Sequence, residues 1–289
     1  MWLQLVISGF ALGSMYSLVA LGFNLTYATS RTVNFSQGQS VMVGAVVAYV
    51  AYVPWGWPLP AAVALSLLAL AAFGILVERI AVRPFFRAAS IAWLLSTIAV
   101  GIIAENVAMV TFGKDARAFP SSLTAHPLML FGAGVYPQEL LLPVAGLGLM
   151  LAVEAATRRT LFGKALRAVA FSHEAAALMG INVNRTIAAS YALSSALAGV
   201  AGILIAPILN VSATMGTIIG LKAFAVAIIG GIESPAGIMA AGILYGVFES
   251  LVAGAFGTGG REILGFAVVI LVLALRPWGL FGTPAVRRV

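Results

Sequence analysis

The 289-residue chain is 62% hydrophobic and only 9% charged, against roughly 25% charged residues in soluble domains, which excludes a water-soluble enzyme or a nucleic-acid binder. Its net charge of +7 is therefore read as a signal of orientation in a lipid bilayer. The absence of Cys removes disulfides, thiolate nucleophiles and Cys-ligated metals together.

A helix needs about 20 mostly apolar residues to cross a hydrocarbon core roughly 30 Å thick. In chain order, nine runs fit, near 3–28, 36–53, 60–77, 90–112, 138–156, 186–206, 216–232, 236–256 and 262–276. The pattern predicts an all-α polytopic membrane protein of about nine spans (eight to ten), in one domain over 1–289. No basic stretch or small-residue cleavage site marks the first run as a signal peptide, so it is expected to remain a membrane helix. The seventh and eighth runs are short, separated by Gly230-Gly231-Ile232-Glu233-Ser234-Pro235.

Cytoplasmic loops retain Lys and Arg. With a cytoplasmic C-terminus, that side receives Arg31, Arg79, Arg83, Arg87, Arg158, Arg159, Lys164, Arg167, Arg185, Arg276, Arg287 and Arg288, and the outside only Lys114, Arg117 and Arg261. This twelve-to-three imbalance sets the expected orientation, with an odd number of spans placing the N-terminus outside. The outer loop 54–60 is uncharged and rich in Trp and Pro, and 113–137 is the one outer stretch long enough to fold over a mouth.

The largest cytoplasmic piece is 157–185. Leu166, Val169, Ala170, Ala177 and Leu178 recur there at helical spacings among charges, which reads as an amphipathic surface helix or as a solvated basic loop. Three G-x-x-x-G pairs, Gly9/Gly13, Gly216/Gly220 and Gly242/Gly246, mark places where helix backbones approach closely in lipid.

A charge near the bilayer centre costs about 2.5 to 3.5 kcal/mol even on insertion scales, so the few polar groups inside the runs stand out. Glu105 with Asn106, Lys222 and Glu249 lie within spans, and Asn34, Ser36, Gln37 and Gln39 cluster where the second span begins. Lys222 either snorkels to the outer interface or pairs with Glu249 or Glu105. Counted at 1.5 Å per residue from the outer ends of their spans, all three lie about 9 to 10 Å deep. Such a pair serves as a structural brace or lines the solute pathway. The Asn34 to Gln39 cluster is either helix capping near the cytoplasmic face or part of the same intramembrane polar set.

Catalysis lacks its groups. His126 and His173 fall on opposite sides of the membrane, so they share neither a metal nor a dyad. No G-x-x-x-x-G-K-[ST] loop is present to cradle ATP, so energy comes from a partner or a gradient, and no cofactor is expected.

Within 157–185, Glu174-Ala175-Ala176 is followed, after three intervening residues, by Gly180, the pattern E-A-A-x-x-x-G. In that position it resembles the coupling loop of ABC-importer permeases. The blocks LMGINVNRTIAASYALSSALAGVAG, MGTIIGLKAFAVAIIGGIESPAG and RPWGLFG, and the opening GFALGSMYSLVALGFNLTYATSRTVNFSQGQSVMVGA, are similar to the branched-chain amino acid permease family. The resemblance is strongest at 1–48 and 160–282 and weakest at 113–140. It implies a permease subunit of the prokaryotic inner membrane that moves branched-chain or related amino acids inward. Its implied partners are a homologous permease, two ATP-binding subunits gripping Arg167, Glu174, Ala175, Ala176 and Gly180, and an external substrate-binding protein. The alternatives are a secondary carrier driven by an ion gradient, for which Glu105, Lys222 and Glu249 would speak, and an ABC permease for urea or short amides.

Overall fold

The computed structural model describes residues 2–85, 91–130 and 133–282; Arg87, Arg287 and Arg288 lie outside them. The chain is mostly helical, with α1 (Trp2–Ser30), α2 (Gln37–Tyr52), α3 (Leu59–Val77), α4 (Ala92–Thr111), α5 (Pro137–Arg159), α6 (Leu161–Phe171), α7 (His173–Leu178), α8 (Val183–Leu209), α9 (Met215–Gly230) and α10 (Pro235–Leu275). Six described helices are long and apolar enough to cross a membrane: α1, α3 with its extension to Phe85, α4, α5, α8 and the Pro235–Gly257 part of α10. At 16 residues each, α2 and α9 are shorter.

Helix α1 is the axis of the bundle, packed against α5, α8, α9 and α10. Its hydroxyls serve the helix itself: Ser14, Ser17, Thr26, Thr29 and Ser30 each donate to a carbonyl three or four residues back, which satisfies them where no water is available. Around it, α3, α4 and α5 expose much of their apolar surface, as helices at a lipid boundary do.

All three G-x-x-x-G pairs lie at helix crossings. Gly9 and Gly13 of α1 face Gly242 and Gly246 of α10, and a methyl added at Gly13 would lie 2.5 Å from the Gly242 carbonyl oxygen. Gly216 and Gly220 of α9 face Gly38 of α2. Backbones in contact maximise dispersion where burial from water supplies no force.

Three expectations are corrected. First, no loop separates 262–276 from 236–256: two helices meet directly at Gly257. Helix α10 reverses at Gly257, whose φ of 75° and ψ of −179° break the helical path, and 258–275 folds back along 235–257, so that Gly265 lies beside Tyr245. Arg261 is consequently a helix residue rather than a loop residue. Second, 157–185 is not one helix. Thr160, Ser172 and Asn182 are N-caps whose side chains accept from the backbone N–H groups of Gly163, Ala175 and Arg185, and they cut the segment into the end of α5, α6, α7 and the start of α8. Third, the all-α reading is amended by a small antiparallel hairpin, β1 (Leu128–Leu130) and β2 (Ala133–Val135), within 113–137. That stretch is tied down by paired backbone hydrogen bonds between Arg117 and Val211, at 2.9 and 2.8 Å.

At the other end of the bundle, the sequence blocks GGIESPAG and RPWGLFG come together. The Leu280 N–H donates to the Ile229 carbonyl at 2.7 Å, and Gly231 (φ 84°) turns the chain against Gly282. Glu233 in this turn pairs with Arg31, and Asn24 of α1 donates to the Ile232 carbonyl at 2.6 Å.

Candidate functional site

The α6–α7 segment is positioned from below by close backbone contact and from the side by one imidazole. A methyl at Gly163 would collide with the backbone of Ala156 and Thr157, so glycine lets α6 fold tightly under α5. His173 Nε2 lies 2.7 Å from the Thr29 carbonyl oxygen; the carbonyl only accepts, so this nitrogen carries the proton and ties α7 to the end of α1.

Inward, Leu166, Val169 and Ala176 are buried. Outward, Phe171 is 91% exposed, Leu178 89% and Met179 82%. Leu178 therefore does not belong to the packed stripe read from spacing, because the helix break at Ser172 rotates α7 relative to α6. Glu174, Ala175 and Gly180 share this exposed tip, whereas Arg167 reaches back to the Arg158 carbonyl at 3.4 Å. Gly180 closes α7 at φ 81° while the Gly180 and Ile181 N–H groups bond back to Ala177 and Ala176, a helix end that favours glycine.

Inside the bundle the three charges singled out within spans, Glu105, Lys222 and Glu249, fall into two separate groups. Lys222 of α9 pairs with Glu249 and, at 2.8 Å, with Glu262. Arg261 reaches Glu249 at 3.0 Å, and Tyr16 of α1 donates to Glu249 at 2.8 Å. Two cations and two carboxylates on α9 and α10 are thus neutralised, with a phenol from α1 beside them. Glu262 and Tyr16 escape a reading of the sequence, since only the reversal at Gly257 brings 261–262 level with 249.

Glu105 is not part of that cluster, and the three charges do not share one site. Its Oε2 accepts from Gln39 Nε2 at 3.0 Å and from Thr217 Oγ1 at 2.5 Å. The common depth inferred by counting residues fails because Glu105 meets α9 at Thr217, five residues before Lys222.

The Asn34 to Gln39 cluster is buried and does more than cap. Asn34 Oδ1 accepts from the Ser36 N–H at 3.1 Å, the turn that starts α2. Gln37 then donates to the Ser194 carbonyl at 3.1 Å and accepts from its hydroxyl at 2.9 Å. Ser194 is near the middle of α8, so α2 begins halfway through the bundle rather than at its surface.

The bundle thus holds polar groups fixed in its interior and carries a tethered, apolar-tipped appendage. The family model described as branched-chain amino acid transport system / permease component matches residues 5–275. The chain belongs to this family. It is 32% identical over 301 residues to the high-affinity branched-chain amino acid transport system permease protein LivH of Escherichia coli, covering 100% of this chain and 98% of that one. The same identity and coverage hold for the permease protein BraD of Pseudomonas aeruginosa. A probable branched-chain amino acid transport permease protein LivH of Methanocaldococcus jannaschii is 31% identical over 92% of this chain and 88% of its own. Among solved structures, PsaBC from Streptococcus pneumoniae in complex with Fab aligns with TM-score 0.50 and 14% identity, over 93% of this chain and 89% of that chain, a likeness of fold. As a member of this family the chain is a transport permease with multiple apolar helices, and the two polar groups and the α6–α7 tip are features to be explained in that light.

Proposed function

We propose that this protein is the membrane subunit of an ABC importer that moves branched-chain or related amino acids into a prokaryotic cell across its inner membrane, using ATP hydrolysed by partner subunits. The observation that carries the reading is the full-length match to branched-chain amino acid permeases. In this reading the chain makes nine passes with its C-terminus in the cytoplasm. It pairs with a second, homologous permease, receives solute from an external binding protein and docks two ATP-binding subunits.

The α6–α7 tip is the docking handle. Phe171, Leu178 and Met179 offer apolar area for a partner pocket, Glu174 offers a charge for register, and the His173 tether to Thr29 passes a push on α7 directly to α1. The Lys222–Glu249–Arg261–Glu262 cluster is a brace, since mutual neutralisation leaves none of its charges available to an ion gradient.

Copurification from native membranes tests the reading: an ATPase should accompany the tagged chain, and cells expressing the complete set should accumulate branched-chain amino acids in an ATP-dependent manner. Uptake driven by a sodium or proton gradient with this chain alone in liposomes would replace it with the secondary-carrier reading.

A further inference from the structure

A second feature at depth has no structural role in the brace or the handle. Between α2, α4 and α9 lies a cavity of about 370 Å³, beside an α4 in which only Thr97, Gly101 and Ala108 are buried. Its walls are apolar, with Phe35 and Phe224 in ring contact at 5.2 Å. Its polar edge carries one accessible acceptor without a donor. Both hydrogen bonds to Glu105 fall on Oε2, and among the described residues no Lys or Arg pairs with this carboxylate.

Gln39 is 6% exposed and its Oε1 is buried with no hydrogen-bond partner. The amide cannot turn to hide that oxygen. Its other terminus faces the Glu105 carboxylate, which only accepts, so the NH₂ must point there and the C=O must point away. Gln39 thus fixes the Glu105 side chain beside an apolar cavity, where a carboxylate oxygen without a donor is costly until one arrives.

We propose that this groove receives the ammonium end of a small apolar solute. Glu105 Oε1 is its acceptor, and the Phe35 and Phe224 rings take up the apolar body. An ammonium carries the donors and the charge that this carboxylate lacks; a solute carboxylate would meet only repulsion here. The inference rests on the amino-acid reading above for the solute's identity, and it places the recognition of that solute's amino group at Glu105 rather than at the buried ion-pair cluster.

The absence of cysteine makes the test direct. In Leu221→Cys, on the α9 wall of the groove, a cationic methanethiosulfonate should react faster than an anionic one in the assembled transporter. Leucine and isopentylamine should slow that reaction, while 4-methylpentanoate, which keeps the apolar body and lacks the amine, should not. Glu105→Gln should weaken the amine protection about tenfold, the loss of one charge-assisted hydrogen bond, and Glu105→Asp should recover part of it. Protection by 4-methylpentanoate equal to that by the amines, reaction that no solute slows, or no reaction at all because a second permease fills the groove would each overturn the site; these comparisons need no Glu105 variant to fold. Uptake is scored separately. Amine protection in a transporter that imports no amino acid counts against the proposed function and leaves the groove standing, whereas amino-acid import that persists when no solute protects Leu221→Cys removes the groove alone.

Discussion

Glu249 is fully buried and faces two cations and one phenol. Changing it to Gln keeps the shape but leaves Arg261 without its carboxylate and Lys222 with Glu262 alone. Changing Lys222 to Met removes one cation and leaves Glu249 neutralised by Arg261. Breaking a buried pair by removing one partner costs about 3–5 kcal/mol, so Glu249→Gln should lower folded yield and Tm in detergent well below Lys222→Met. In the double variant the losses should be less than the sum of the two; strictly additive losses would show that the side chains are not coupled. Lys222 and Glu249 are legible in the sequence because a charge inside an apolar run is rare. Glu262 is not, since beside Arg261 and between two apolar runs it reads as a loop residue until the turn at Gly257 is known. Glu105 is legible as a buried charge but not as a groove residue, because its neighbours Gln39 and Thr217 are 66 and 112 positions away.

At the scale of elements, the chain is held by places where a side chain would not fit and by caps that end helices. Methyl groups at Gly13 or Gly38 would strike the backbone of α10 or α9, whereas at Gly148 in α5 a methyl meets nothing within 4 Å. Gly13→Ala and Gly38→Ala should therefore reduce the yield of folded protein by size-exclusion chromatography, with Gly148→Ala at wild-type level; equal yields for all three would mean that the crossings are not tight. The G-x-x-x-G spacing announces two of these crossings, yet Gly38 has no such partner in its own helix and is found only from the packing. The 157–185 segment is legible as an appendage by its charge and composition, but spacing alone cannot detect that Ser172 interrupts it, because a cap and a mid-helix serine look alike in sequence. Its end at Gly180 is a conformational demand, since the left-handed region costs other residues about 1–2 kcal/mol. Gly180→Asn should retain most transport and Gly180→Val little, while both insert normally. Glu174→Arg, which strains nothing, should leave folding intact and separate ATP hydrolysis from uptake.

For the molecule as a whole, the distribution of Lys and Arg and the fold must agree on which end faces the cytoplasm. The structure sharpens the charge count by moving Arg261 into the bundle, where it is neutralised and no longer informs orientation. Lys114 and Arg117 then remain as the basic residues assigned to the outside, while the α6–α7 end keeps Arg158, Arg159, Lys164, Arg167 and Arg185. The positive-inside tendency consequently argues more strongly for a cytoplasmic α6–α7 tip than the raw sequence does. The span count depends on one feature above all, whether the two limbs of α10 on either side of Gly257 each cross the membrane. Single cysteines in the Cys-free chain separate the possibilities. Leu178→Cys and Trp278→Cys should be shielded from a membrane-impermeant maleimide in intact cells and react in inverted vesicles, and Ser121→Cys and Phe256→Cys should do the reverse. Labelling of Leu178→Cys from outside would invert the whole assignment and with it the docking handle. Labelling of Phe256→Cys and Trp278→Cys from the same side would instead leave the handle in place and reduce the hairpin to a re-entrant element, because residues 235–257 and 258–275 would then enter and leave by one face.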